Sequence, residues 1–358
     1  MVKKIFLFII ILFIIVTMCF FMTSKILKNI DFRKDINILF VFKDCSNNDN
    51  KNVKIKFLIS KYSNYDKYIK MIFVDENVTI IQKKKKSKTL KEMIVETEDK
   101  QQIDFAKKEI EKLFDNKLEF DFYILFDYEN MEKLVEVFSK KKDFEYNKTL
   151  LNKCFNSDID RDNRIIFSIK ILNYMYSNSG IFSLFNLLKC LYDKSFILQT
   201  NLKTKEFLLL YLKMFKCDKV IKYADIPTVY RRNRTEIDIN SMPKIINFFD
   251  KDEFTKEKND LKIEILNSTN KSRLAIKAAN KLRENNFDVV DWGSSLKKYD
   301  FTIIFDLVNS FENITEIKRI LNCGEIIFRP ADRPLTDVSV LLGQDCNIYD
   351  KLDRQSEE

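Results

Sequence analysis

The side chains able to do covalent chemistry are few. The 358-residue chain contains no His, which removes the commonest general base and a frequent metal ligand and excludes Ser-His-Asp and Cys-His catalysis. With only 4 Gly it is poorly supplied with the φ > 0, close-approach loops that cradle nucleotide phosphates, and no P-loop or dinucleotide fingerprint is present. Cys45, Cys154, Cys190, Cys217, Cys323 and Cys346 show no Cys-x-x-Cys spacing, so no zinc site is expected. Cys323 and Cys346 fall in one small C-terminal module and could pair if that module lies outside the cell. Buried free thiols are the expectation.

What remains is charge. The formal charge is +9, but acids and bases interleave through most of the chain. The densest basic run is the four lysines at 83–86, continued by Lys88 and Lys91. Such a run can meet anionic headgroups or a phosphorylated polymer. No aromatic residues interleave with it, so it is not a nucleic-acid platform, and a solvated loop or a Lys-guarded edge strand is the expectation. "YRRNRTE" (230–236), with Arg231, Arg232 and Arg234, also reads as a solvated loop. No helix-turn-helix with a basic recognition helix is evident, which speaks against a DNA-binding regulator.

The elements that carry these groups begin with an uncharged stretch, residues 5–22. At about 1.5 Å per residue it comes just short of the ~30 Å hydrocarbon core. It is longer than a usual signal-peptide core and no small-x-small site follows it, so an uncleaved anchor is expected after a four-residue stub. Met18 before Cys19 argues against a lipoprotein site. Lys3 and Lys4 precede the stretch while Lys25, Lys28, Arg33 and Lys34 follow it, so charge alone does not choose an orientation. Residues 23–35 form a juxtamembrane linker.

The body, 36–249, reads as strands at 36–42, 52–60, 67–74, 77–82 and 120–127, with amphipathic helices at 103–114 and 128–138. Three apolar-rich helices follow at 164–176, 181–192 and 205–216. Mixed strands and helices of this kind predict an α/β (α+β) sandwich. Residues 250–261 are charged and lack an apolar period, as a linker does. Residues 262–349 then give strand 262–268, helix 271–285, strand 287–292, strand 301–307, helix 311–322, strand 325–329 and strand 337–342. This order is β-α-β-β-α-β with one strand added, the split βαβ pattern of ferredoxin-like folds. A polar tail, 350–358, ends the chain.

"IEILNST", "LAIKAANKLRENNFDVVDWGSS", "TIIF" and "VSVLLGQD" resemble, in that order and spacing, the LytR C-terminal domain. The family's Gly-rich turn after the first strand is replaced here by Ser268, Thr269, Asn270 and Lys271, which puts any backbone–ligand contact there in doubt. This domain commonly follows a membrane-anchored LytR–CpsA–Psr domain, which moves glycopolymers from a polyprenyl-pyrophosphate carrier to the cell wall. The body resembles that domain in "ILFVFKD", "FDFYILFDYENMEKLVEVF" and "DRDNRIIFSIKIL".

The resemblance implies a site that holds pyrophosphate with several Arg forks and a carboxylate-bound Mg²⁺. It carries over Asp44 as the first carboxylate and Arg161 and Arg164 as an Arg-x-x-Arg pair. Elsewhere the pattern is lost. Ser46 stands for an Arg, Val74, Asp75, Glu76 and Asn77 stand for Pro-Arg-Asp-Thr, and the upstream Arg pair is missing around Cys154 to Asn156. Asp75 therefore reverses a sign. The plain alternative for the two arginines is pairing with Asp158, Asp160 or Asp162 at a helix start, and for Asp44 a turn-capping role.

The expectation is a cell-membrane protein with a cytoplasmic N-terminus and an extracytoplasmic bulk, the orientation taken from the resemblance. It would bind or scaffold in the envelope, with a polyprenyl-linked or cell-wall polymer as the candidate partner, no nucleic acid, no catalysis and no cofactor. The rival is an active phosphotransferase using Mg²⁺, Asp44, Arg161, Arg164 and the lysines at 83–86.

Overall fold

The computed structural model describes residues 35–44, 53–63, 68–80, 88–95, 101–179, 181–192, 199–203, 206–207, 210–211, 220–231, 233–250 and 260–348. The expected anchor at 5–22, the juxtamembrane stretch, the lysines at 83–86, most of the 250–261 linker, most of the 205–216 helix and the tail lie outside them. Among the described residues no helix is long and apolar enough to cross a membrane.

The body opens as an antiparallel meander of β1 (Ile36–Asp44), β2 (Lys54–Tyr62) and β3 (Tyr68–Val74). Period-2 alternation explains why both faces of β1 are buried. Ile38 belongs to one hydrophobic cluster with Phe40 and Phe42 packed against it, while Leu39 and Val41 belong to the other. β4 (Thr79–Ile80) and β5 (Lys88–Thr89) form a separate ladder, so the described part of the strand expected at 77–82 lies off the main sheet. Thr89 and Glu92 then make a reciprocal capping box, with Glu92 N donating to Thr89 Oγ1 at 3.1 Å and Thr89 N donating to Glu92 Oε2 at 2.8 Å. It starts α1 (Leu90–Val95), and α2 (Gln102–Leu113) follows.

β6 (Phe122–Asp127) runs parallel to β1. Its last residue, Asp127, caps α3 (Tyr128–Phe138) by accepting from Asn130 N at 2.7 Å. Next come α4 (Phe144–Phe155), α5 (Arg161–Ser177), α6 (Ile181–Tyr192) and β7 (Gln199–Thr200). β8 (Val220–Asp225) returns beside β3, in parallel. β9 (Thr228–Arg231) and β10 (Arg234–Ile237) make the basic knot an exposed hairpin rather than a loop, turning at Asn233 with φ 61°. α7 (Met242–Asp250) closes the body. α3 to α6 cover one face of the sheet and α1, α2 and α7 the other.

The C-terminal elements are β11 (Lys262–Asn267), α8 (Leu274–Arg283), β12 (Asp288–Ser294), β13 (Ile303–Asp306), α9 (Phe311–Leu321), β14 (Glu325–Phe328) and β15 (Val338–Leu342). Their spatial order is β12-β11-β15-β13-β14. The ferredoxin-like expectation is therefore corrected. In each βαβ unit the two strands are direct, parallel neighbours, and β15 sits between the units, parallel to β11 and antiparallel to β13. All five residues of β15 are buried, so apolar burial draws it to the centre. Gly343 follows it where a Cβ would lie 2.2 Å from the carbonyl carbon of Phe301. Cys323 and Cys346 are disulfide-bonded across 5.4 Å between Cα atoms, which corrects the free-thiol expectation. Among the described residues, Cys154 and Cys190 are not disulfide-bonded.

The two parts share one sheet. β14 pairs in parallel with β8, through Ile327↔Tyr223 and Phe328↔Ala224, giving a sheet of eleven strands among the described residues. α8 and α9 cover one face of the C-terminal strands. The other face, with Ile303, Phe305, Ile327 and Leu341, joins the cluster that includes Phe167 of α5.

Candidate functional site

The N-terminus of α5 faces the carboxyl ends of β3 and β8. Asp160 starts the helix by accepting from Asp162 N at 3.1 Å. Arg161 and Arg164, three residues apart, then share a helix face. Just past β3 stand Asp75 and Glu76, at the end of β8 stands Asp225, and just past β14 stands Arg329.

These groups neutralise one another. Arg161 grips Asp225 with a fork, Nη1 donating to Oδ2 at 2.8 Å and Nη2 to Oδ1, while its Nε lies 3.0 Å from Asp75 Oδ2. Arg329 donates from Nε to Asp225 Oδ2 at 3.0 Å and from Nη2 to Asp162 Oδ1 at 2.6 Å. Arg164 donates from Nη1 to Glu76 Oε1 at 2.9 Å. Asp225 is fully buried, which two guanidinium partners make tolerable.

The electrostatics follow from burial set against these partners. Burial opposes the charge of Arg161, but Asp225, Asp75 and Asp162 outweigh it and raise its pKa further. Burial also opposes ionisation of Glu76 and Asp162. Lys56 and Arg164 overcome it at Glu76, and Arg329 overcomes it at Asp162, so both carboxyls are held below the usual range. At Asp75 burial wins, and its carboxyl is raised despite Arg161. Burial pushes the Cys154 thiol up to about 11, so it is no ready nucleophile.

Beside the cluster lies a cavity of about 60 Å³, lined in part by Lys56, Glu76, Arg161 and Arg164. A second cavity of about 190 Å³ adjoins it, and Phe42, Leu58, Met131 and Leu172 line both. The second is walled almost wholly by apolar side chains from β1, β2, β6, α3, α5 and α6. An apolar space of this size stays dry and takes apolar guests.

The sequence-predicted residues are thus placed as follows. Arg161 and Arg164 come together at the cavity mouth, but their partners are Asp75, Asp225 and Glu76. Of the expected helix-start partners, Asp160 pairs with Lys297 at 2.6 Å and Asp162 with Arg329. Asp44 ends β1 with an ion pair to Lys54 at 3.9 Å and does not line the arginine cavity. Mg²⁺ does not fit the cluster, because Asp75, Glu76, Asp162 and Asp225 are each bonded to an arginine. Among the described residues no group of three or more Cys, Asp or Glu side chains could hold a metal ion. Sequence reasoning missed Asp225, Arg329 and Lys56. The one available signal was Lys56 itself, on the strand face shared with Leu58.

Residues 260–345 match the family described as LytR cell envelope-related transcriptional attenuator. No match is found among curated proteins. Similar solved structures match at low identity. A transcriptional regulator of Enterococcus faecalis is 12% identical, over 62% of this chain and 88% of that one, with a TM-score of 0.47. Bacillus subtilis TagT is 10% identical, over 62% and 91%, with a TM-score of 0.44. The Bacillus subtilis transcriptional regulator yvhJ is 15% identical, over 61% and 99%, with a TM-score of 0.43. The α8–α9 part that closes the sheet is thus the part of this chain that is similar to the LytR cell envelope-related family, over residues 260–345.

Proposed function

We propose that this is a cell-envelope protein, anchored by residues 5–22 with its bulk outside the membrane. Its body is a diverged LytR–CpsA–Psr-like domain that binds or scaffolds and does not transfer glycosyl phosphate. The observation that carries this reading is the occupation of Arg161 and Arg164 by Asp75, Asp225 and Glu76. A pyrophosphate approaching these arginines would have to displace carboxylates already in place, and it would meet their negative charge. The disulfide between Cys323 and Cys346 supports an oxidising compartment. The apolar cavity supports retention of a binding role.

The test uses the purified full chain, assayed for Mg²⁺-dependent transfer from a polyprenyl-pyrophosphate donor and for retained polyprenyl phosphate. Neither is expected. Retention or transfer that is lost in Arg161→Ala and Arg164→Ala would overturn the reading.

A further inference from the structure

The end of the sheet where β1 begins carries a side-chain cluster that the candidate site does not use. Ile36 pairs with Tyr62, Tyr62 with Ile69 and Tyr68 with Val220, so the first residues of β1, β3 and β8 share that end with the last of β2. α5 starts at the opposite end, beside Asp225, and runs back along the sheet to Ser177. The turn between α3 and α4, with Lys140, Lys141 and Lys142, is tied to the last turns of α5. Lys140 N donates to Tyr174 Oη at 3.2 Å, and Tyr174 Oη donates to Asp143 Oδ2 at 2.9 Å. All three lysines are exposed, and among the described residues none of their ammonium groups has a hydrogen bond or an ion pair. Two exposed large apolar side chains lie at the same end, Tyr146 in the first turn of α4 and Val220 at the start of β8. Of the nearby carboxylates, Asp143 is held by Tyr174, while Glu136 and Glu145 stand on the helices behind the turn.

We propose that the α3–α4 turn is a second membrane contact, laid on the anionic headgroups of the bilayer in which residues 5–22 are anchored. The contact rests on the anchored reading above. Its occupant follows from where the chain enters the sheet. Asp35 precedes β1 at this same end, and residues 23–34 reach at most about 40 Å when fully extended. That tether brings this end of the sheet within range of the surface without fixing how the body stands on it. Three lysines at the apex of a turn, on long flexible stems, meet the negative surface potential ahead of the carboxylates behind them. Tyr146 adds a ring with a polar tip, a side chain suited to headgroup depth. A soluble polyanion would satisfy the lysines but offers nothing to Tyr146 and Val220. Held at two points, the body would keep Arg161 and Asp225 away from the bilayer by roughly the ~25 Å length of α5.

The test is hydrogen exchange of the full chain in nanodiscs of phosphatidylcholine, with and without phosphatidylglycerol. Exchange in the turn 139–146 is expected to slow by about tenfold in the phosphatidylglycerol discs. The slowing should vanish in about 1 M salt, where the Debye length is about 3 Å, and in the triple variant Lys140→Gln, Lys141→Gln, Lys142→Gln. The loop 331–336, which follows β14 at the opposite end of the sheet, should exchange alike in both lipids. Equal exchange of the turn in the two lipids, or slowing that survives in the triple variant, would overturn the contact and leave the anchored reading standing. Inorganic polyphosphate slowing the turn as strongly in discs of phosphatidylcholine alone would assign the lysines to a soluble polyanion and equally overturn it. A chain that does not stay with the discs would bring down the anchored reading and the contact together. Should the triple variant fail to fold, the lipid and salt comparisons on the unaltered chain still decide.

Discussion

Arg329 Nε and Nη2 both meet one oxygen of Asp225, at 3.0 and 2.8 Å. A guanidinium from the C-terminal domain therefore helps to neutralise a carboxylate buried at the end of a strand of the body. Arg161 forks the same carboxylate, donating to both of its oxygens.

Removing one partner of such a pair leaves charge stranded. Arg329→Met should destabilise the protein by about 2 kcal/mol, below the usual range for a broken buried pair, because Asp225 keeps Arg161. A shift of the urea midpoint at unchanged slope reads this directly. No shift would mean that the contact between the two domains carries no energy here.

Asp75 and Glu76 silence the two arginines, so neutralising them should restore anion binding. The double variant Asp75→Asn, Glu76→Gln frees Arg164 Nη1 and Arg161 Nε while Asp225 still holds the Arg161 fork. Calorimetry should show inorganic pyrophosphate binding at least about tenfold tighter than to the unaltered chain. An unchanged affinity would show that something other than these carboxylates keeps phosphate out.

Asp306 gives a pH signature. Burial pushes its carboxyl from 3.8 up to about 6, against the backbone N–H groups of Val308, Ser310 and Asn309 and the charge of Lys222. The folded state thus holds this proton more tightly than the unfolded chain. Its contribution is fully present below about pH 4 and is lost as pH rises through about 6. The whole effect is about 3 kcal/mol. Val308 N and Asn309 N both donate to the same oxygen, Oδ1, so an amide can serve them. Asp306→Asn should gain stability over the unaltered chain as pH rises from 4 to 7, read as the difference between two melting curves. A constant difference across that range would contradict it.

The disulfide joins residues 23 apart. Closing a loop of that length stabilises by about 3 kcal/mol in the chain-entropy account. Reduction should lower the melting temperature of the unaltered chain and leave Cys346→Ser unmoved. Equal sensitivity in both would point to another origin.

Much of the fold was legible because local periods dominate it. The helix expected at 128–138 is α3, and the helix expected at 271–285 contains Leu274–Arg283. Strand order was not legible. The pattern that names β15 as apolar does not say that it enters between β11 and β13, which long-range packing decides. β8 was passed over because Lys222 interrupts a short apolar run. That lysine is in fact buried, with its ammonium 3.5 Å from the centre of the Tyr68 ring. At the site, Arg161 and Arg164 share a helix face as their spacing implies, but their partners lie 64 and 88 residues away, at Asp225 and Glu76. No pattern along the chain registers such distances.

The strand pairing of β14 with β8 bears on how the molecule can be taken apart. Cleavage at the 250–261 stretch, the natural place to cut by sequence, would bare an unpaired edge on both pieces. Open edges of this kind invite pairing with other chains. A C-terminal fragment cut there should therefore aggregate or capture a foreign strand, and soluble behaviour is to be sought in the undivided chain.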